Sequence, residues 1–251
     1  MHVHLPKPLH GWRAILGEVG IIVVGILIAL ALEQLVQVAH ERTIATEARE
    51  AVRAEVGENL WWMEDRRWIE PCVRSALREV DDVLVRANNG QPYPVVRHIG
   101  LDIHSKITDL RWQANSHAGR ASLFTGEEQR NFDNMYFTTN EFREAQEREE
   151  NDWARLRAMQ GQTHLTPRAV EEFRILLEEA RYENFRVLLS IWRSGQWAAK
   201  MHLTPNNPNR VETEGSARRH PDPECTSITK DFDRSKVTNL FGGIGQPEDI
   251  P

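Results

Sequence analysis

Carboxylates and guanidinium groups crowd the stretch QEREENDWARLR, from Gln146 to Arg157. Two neighbouring carboxyl groups, one ionised and one protonated, are what general acid–base chemistry requires. The same charges also recur three and four residues apart, the spacing at which a helix staples acid to base along a solvated face. That account needs no active site, and it is the one adopted. His2, His4 and His10 offer imidazoles to a metal ion, but no acidic or cysteine ligands accompany them, so no metal site is assigned. Cys72 and Cys225 are the two cysteines. Neither belongs to a Cys-x-x-Cys pair, which removes a zinc knuckle and a dithiol redox centre. Two readings of them stay open: a bridge that staples the C-terminal tail to a helix in an oxidising compartment, or two free thiols.

The segment RWQANSHAG, Arg111 to Gly119, mixes an aromatic ring, amides, a histidine and a small residue. It is the best candidate for a ligand or partner surface, with Arg111, Trp112 and His117 as its points of contact. A buried tryptophan beside a helix-ending glycine explains the same residues. There is no GxSxG elbow, HExxH pair, phosphate loop or GxGxxG turn. Gly242-Gly243-Ile244-Gly245 precedes no helix and reads as linker. No catalytic residue, cofactor or metal is therefore assigned. Acids number 37 against 31 bases, a net charge of −6 spread along the chain. That mixed surface lacks the basic stripe that phosphate neutralisation needs, which argues against nucleic acid as a partner.

What positions these residues begins with VGIIVVGILIALAL, fourteen residues between Glu18 and Glu33 without a charge. Extended to residues 14–38 the run matches a hydrocarbon core of roughly 30 Å, with Trp12 at the interface. Glu18 and the Glu33-Gln34 pair lie near its ends, where side chains reach water. A cleaved signal peptide is the rival: Lys7 and Arg13 form a basic start, and Ala29-Leu30-Ala31 resembles a cleavage site. Against it, Glu18 interrupts the apolar region and the helical pattern continues past Ala31. The bases before the span place the N-terminus, residues 1–13, in the cytoplasm, and the bulk of the chain in the periplasm of a bacterial inner membrane. Glu18, Ile22, Gly25, Ala29 and Glu33 fall within about 60° of one another on a helix. Gly25 and Ala29 form a small-xxx-small pair suited to close helix contact, although such pairs also arise by chance in any Gly/Ala-rich stretch.

Beyond the span, Ala48, Val52, Val56, Leu60 and Met63 continue one apolar stripe toward Glu70, where Pro71 bends or breaks the chain. Trp61, Trp62 and Trp68 sit on this segment, as packing residues or as an aromatic patch. Val73, Leu77, Val80, Leu84 and Ala87 mark a second helix that Asn88-Asn89-Gly90 ends. After a loop rich in breakers, a third helix is expected over 106–117. Thr125 and Glu128 make a capping box for a helix that carries Phe132 to Met159, with a kink expected at Thr138-Thr139 and a stop at Gly161. Thr166 and Pro167 open a last helix, in which Val170, Phe173, Leu177, Ala180, Val187 and Ile191 face inward. Phe185, Leu188, Leu189 and Trp192 widen that stripe, as though this helix were the bundle's centre. Residues 203–251 turn polar and Pro-containing and read as a tail or docking segment. The expected fold is all-α: a transmembrane helix extended into an antiparallel bundle domain over 39–202, with an irregular C-terminal tail.

The stretch LGEVGIIVVGILIALALEQ resembles the N-termini of a family of bacterial single-pass membrane proteins of unknown function. The resemblance rests on Gly17, Glu18, Val19 and the run Val24 to Leu30, and covers about the first 40 residues. It implies an anchor plus a helical extracytoplasmic domain, and it brings no activity with it. Three functional readings follow. The first is a membrane-anchored interaction or scaffold protein, oligomeric through its own span or joined to another membrane protein. The second is a periplasmic ligand-binding or sensor bundle that signals through a partner, and the third an enzyme with an unrecognised site.

Overall fold

A computed structural model describes residues 12–99, 105–206 and 225–230. The histidines before Trp12, most of the tail and the Gly242–Gly245 run lie outside those residues. Among them the secondary structure is helical, with no strand. α1 (Trp12–Trp68) is 57 residues long, about 85 Å at 1.5 Å per residue. Its apolar first half is uncovered on every side, and it is one helix long and apolar enough to cross a membrane. Burial begins at Ala45 and then follows the expected stripe through Ala48, Val52, Val56, Leu60 and Met63.

α2 (Glu70–Asn88) follows α1 after the single non-helical residue Ile69, with Pro71 in its first turn, where a missing N–H costs nothing. The proline does not turn the chain back. α1 packs against the start of one later helix and the end of another, whereas α2 packs against the opposite ends of the same two. Those partners are α4 (Gly126–Leu156) and α5 (Pro167–Lys200), an antiparallel pair joined through Gly161. α4 runs alongside α1 and α2 in the same direction, shown by Arg49–Glu128, Glu55–Tyr136 and Arg66–Glu149 contacts. α5 runs the other way, with Arg53 near Met201, Arg66 on Asn184 and Asp81 on Arg181.

Because α2 ends at one end of the bundle and α4 begins at the other, the chain must return along its length. An extended strap does this, described over 91–99 and 105–109. Its Val96 and Ile99 are buried in the core against α2, α4 and α5. Asn59, buried on α1, pairs with the strap's backbone on both sides: its amide nitrogen donates to the Thr108 carbonyl at 2.7 Å and its oxygen accepts the Thr108 N–H at 3.1 Å. That pairing keeps residues 106–109 extended, so α3 (Leu110–His117) starts later than the expected 106. α4 runs without interruption through Thr138-Thr139, whose hydroxyls both donate to carbonyls one turn back, each at 2.9 Å, and so leave the helix's own ladder in place. The expected capping box of Thr125 and Glu128 is present in both directions.

One expectation about faces needs correction. Phe185 and Trp192 do not widen the inner stripe of α5; they stand on its outer side in solvent. In addition, Gly57, unremarked in the sequence, is a crossing point. The chain after α5 passes over α1 there, and the Asn206 N–H donates to the Gly57 carbonyl at 2.8 Å. A β-carbon on Gly57 would stand 3.2 Å from the Thr204 carbonyl oxygen and 3.1 Å from the Asn206 side chain. In an open helix interior, replacing Gly with Leu stabilises by roughly 0.5–1 kcal/mol. Here Gly57→Leu is expected to destabilise instead, by about 1 kcal/mol or more through displacement of residues 203–206. Thermal unfolding of the two proteins in the same detergent measures the sign.

Candidate functional site

The bundle's midsection holds a sealed charge cluster in place of apolar packing. Arg66 projects from α1 and Glu149 from α4, and both side chains are 0% exposed. One guanidinium nitrogen of Arg66 donates to both Glu149 oxygens, at 2.8 and 3.0 Å, and to the Asn184 amide oxygen on α5 at 2.6 Å. The other reaches Glu70 at the start of α2, at 3.3 Å. Asn184 closes the ring by donating to Glu70 at 3.1 Å. Arg74, mostly in solvent, also pairs with Glu70 at 3.3 Å. Two arginines thus meet two carboxylates, and only Arg66 Nε in this ring lacks a partner. Burial pushes the Glu149 carboxyl above the usual range, and the Arg66 charge and hydrogen bonds oppose that rise.

This arrangement corrects the reading of QEREENDWARLR as a solvated face. Glu144 and Arg148 do form an exposed pair one turn apart. Gln146, Glu149 and Asp152 are nevertheless buried. The signal was present: Glu149 stands four residues before Trp153 and seven after Phe142, on the helix's own apolar stripe. Asp152 is raised to about 6, by burial first and then by Glu179 and Glu183, with Arg155 opposing.

A second buried carboxylate organises the segment singled out as a partner surface. Glu55 on α1 accepts the N–H groups of Arg111 at 2.9 Å and Trp112 at 3.2 Å, and the Tyr136 hydroxyl at 2.6 Å. Asp109, at the start of α3, makes no capping bond, so Glu55 supplies the cap from another helix. Burial and the Glu55 charge raise the Tyr136 hydroxyl's pKa. The Trp112 ring stacks on Tyr136 at 5.5 Å and 8° and leans on Phe124 and Phe132. Arg111 pairs with Glu58 at 3.5 Å. Trp112 is therefore packed into the bundle's base and Arg111 is tied to α1, while His117 stands exposed at the far end of α3.

Cys72 and Cys225 are joined, with the sulfurs 2.05 Å apart. The bond fastens residues 225–230 to α2, and further contacts hold them. The Ser227 hydroxyl and the Ile228 N–H both donate to Glu79. Ile228 is buried, and its carbonyl accepts from Arg97 at 2.7 Å and His98 at 3.0 Å on the strap. A bridge closing a loop of 153 residues constrains the unfolded chain by on the order of 5 kcal/mol.

Concavities are open grooves. One of about 490 Å³ lies between α2 and α5, lined by Pro71, Arg74, Leu77, Arg78, Arg181 and Asn184. A second, of about 440 Å³, lies beside the clasped tail and includes Ser75, Glu79 and Ser227. Among the described residues no group of three His, Cys, Asp or Glu is placed to hold a metal ion. Glu18, Ile22, Gly25, Ala29 and Glu33, the face expected to make helix contact, all stand on uncovered helix, and nothing lies within 4 Å of a β-carbon built on Gly25. Compared with known proteins, the chain matches no family model, no curated protein and no solved structure.

Removing one member of the sealed ring leaves buried charge without a partner. Arg66→Met is expected to destabilise the fold by about 3 kcal/mol or more at neutral pH. The loss should shrink toward pH 5 as Glu149, already raised by burial, takes up a proton, which denaturant titration at the two pH values measures. Asp152 has the opposite character. It binds its proton more tightly folded than unfolded, so its contribution to stability falls as pH rises from about 4 to about 6 and stays low above that. Asp152→Asn should therefore raise neutral-pH stability by about 1 kcal/mol or more and bring no gain at pH 4, seen as a flattened profile of melting temperature against pH.

Proposed function

We propose that the chain is a membrane-anchored helical interaction protein: a scaffold that holds a rigid bundle beside a bilayer and meets other copies or other membrane proteins. The observation that carries this reading is the continuity of α1. One helix supplies an apolar half that nothing in the described chain covers and, without a break, the wall of a packed bundle. An apolar helix of this length needs lipid around it, since about 20 such residues cross a bilayer.

The clasped cysteines support placement of the bundle in an oxidising compartment, since such bridges persist outside the cytoplasm. Lys7 and Arg13 ahead of the span favour a cytoplasmic N-terminus, which puts residues 39 onward in the periplasm of a bacterial inner membrane. The interaction reading is preferred to a small-molecule sensor or an enzyme on the character of the grooves. They are open, and most of their charged residues are engaged within the chain: Arg74 with Glu70, Arg181 with Asp81, and Glu79 with the tail.

Gly25 and Ala29 offer the closest approach of two anchors, flanked on the same face by Glu18 and Glu33. Gly25→Leu is expected to lower self-association in bilayers several-fold, read by energy transfer between labelled copies, while the protein stays on membranes through carbonate extraction. Unchanged association would remove this face from the reading, and release by carbonate would remove the anchor itself.

A further inference from the structure

α5 carries two seams. The inner one, with Leu177, Ala180, Asn184, Val187, Ile191 and Ser194, is buried against the other helices. The outer one runs Ile175, Glu178, Tyr182, Phe185, Leu189, Trp192, in steps of three, four, three, four and three. A run that alternates so has the 3.5-residue period of a coiled-coil contact. It lies half a turn from the inner seam, and most of it stands in solvent: Ile175 is 52% exposed, Tyr182 60%, Phe185 57% and Trp192 62%, while Leu189 is half-buried at its edge. The outermost positions of a bundle helix ordinarily carry charge.

We propose that this outer seam docks against the same seam of a second copy in the same membrane, the two α5 helices parallel and in register. The proposal rests on the anchored reading above, and the area of the seam is one reason. From Ile175 to Trp192 it runs about 26 Å, and at about 10 Å wide the pair would bury roughly 600 Å². Stable soluble complexes bury about 1,200 Å² or more. A contact of this size needs its partner delivered at high local concentration and in a fixed orientation. A shared bilayer supplies both to a second copy of an anchored chain. Copies inserted the same way are related by a two-fold axis along the membrane normal, and that axis makes the α5 helices parallel.

The flanking charges fit this arrangement. In a parallel pair, the residue just before a seam position faces the one five residues on in the other helix. Arg174, which has no counter-ion among the described residues, then meets Glu179 of the second copy, a half-exposed carboxylate that Arg155 of its own chain holds at 3.0 Å on one side only, and symmetry makes two such contacts. Arg181 would face Arg186, but each is already neutralised within its own chain. Arg181 is held by Asp81 at 2.7 Å and Glu178 at 2.6 Å, and Arg186 by Glu183 at 3.0 Å. The anchor's small-residue face points elsewhere. Gly25 precedes the inward-facing Val52 by 27 residues, which turns it by about half a revolution, away from the bundle. The two contacts therefore do not compete.

The test uses the full-length chain in phosphatidylethanolamine/phosphatidylglycerol vesicles, with Leu189→Cys as a reporter and the native cysteines occupied by their own bridge. Oxidation should join two copies through position 189 several-fold faster than through Glu147→Cys, an exposed site on α4. Phe185→Glu should abolish that advantage while its melting temperature stays close to that of the parent, and Gly25→Leu should leave it in place. Equal rates at 189 and 147 on protein that resists carbonate extraction would overturn the α5 contact alone. Faster joining of mixed Tyr182→Cys and Leu189→Cys chains than of either with itself would overturn the parallel register. Release of the protein by carbonate would sink the anchored reading beneath both.

Discussion

A guanidinium sealed from water has to be met by charge, and meeting Arg66 decides how four helices come together. Its side chain leaves α1 and touches α2 through Glu70, α4 through Glu149 and α5 through Asn184. Apolar contacts on either side of it tolerate sliding by a residue or rotation by a few degrees. The fork does not, because each donor is matched to an acceptor on a different helix. The apolar clusters above and below the ring supply most of the burial, and the ring supplies the register. Glu55 does the same at the base of the bundle, where one carboxylate fixes the start of α3 and the height of Tyr136 against α1.

Pro71 and the strap follow from that constraint. Glu70 reaches Arg66 only if α2 continues roughly along α1, so the proline sits in a first turn and bends the rod without folding it back. The chain then has its length to recover before α4 can start beside α1. An extended segment covers about twice the distance per residue of a helix, which is why the return is a strap and not another long helix. The strap's backbone groups need partners, and Asn59, Ile228 and Gly161 provide them. The disulfide fastens the piece of tail that offers Ile228, so the covalent bond and the strap's hydrogen bonds support one another.

The apolar periodicity made the helices legible. The stripes of α1, α2, α4 and the inner face of α5 fall where spacing alone puts them, and the caps at Thr125 and Thr166 bond as their residue types suggest. What the sequence hid were the polar residues on those stripes. Glu55, Asn59, Arg66 and Glu149 share faces with Val52, Val56, Met63 and Trp153, but a charge counts toward the surface when residues are weighed singly. Only the partner's position reveals a paired interior. The aromatic residues of α5 misled in the reverse sense: Phe185 and Trp192 count toward a core by type, yet they lie opposite it. Gly57 left no trace at all, because the segment that crosses it lies far along the chain.

The same ring of charges ties the apolar half of α1 to the bundle mechanically. Rotating α1 by a single residue about its axis turns Arg66 by about 100° and strands the buried Glu149 without a cation, at a cost of about 3–5 kcal/mol. Contacts between helices in a bilayer are weaker than that, commonly about 0.6 to 2 kcal/mol for an interhelical polar pair. The apolar half of α1 and the bundle therefore turn together, and a contact that orients the one also orients the outer face of α5. Exposed apolar surface on a helix opposite its own core is costly unless something covers it part of the time.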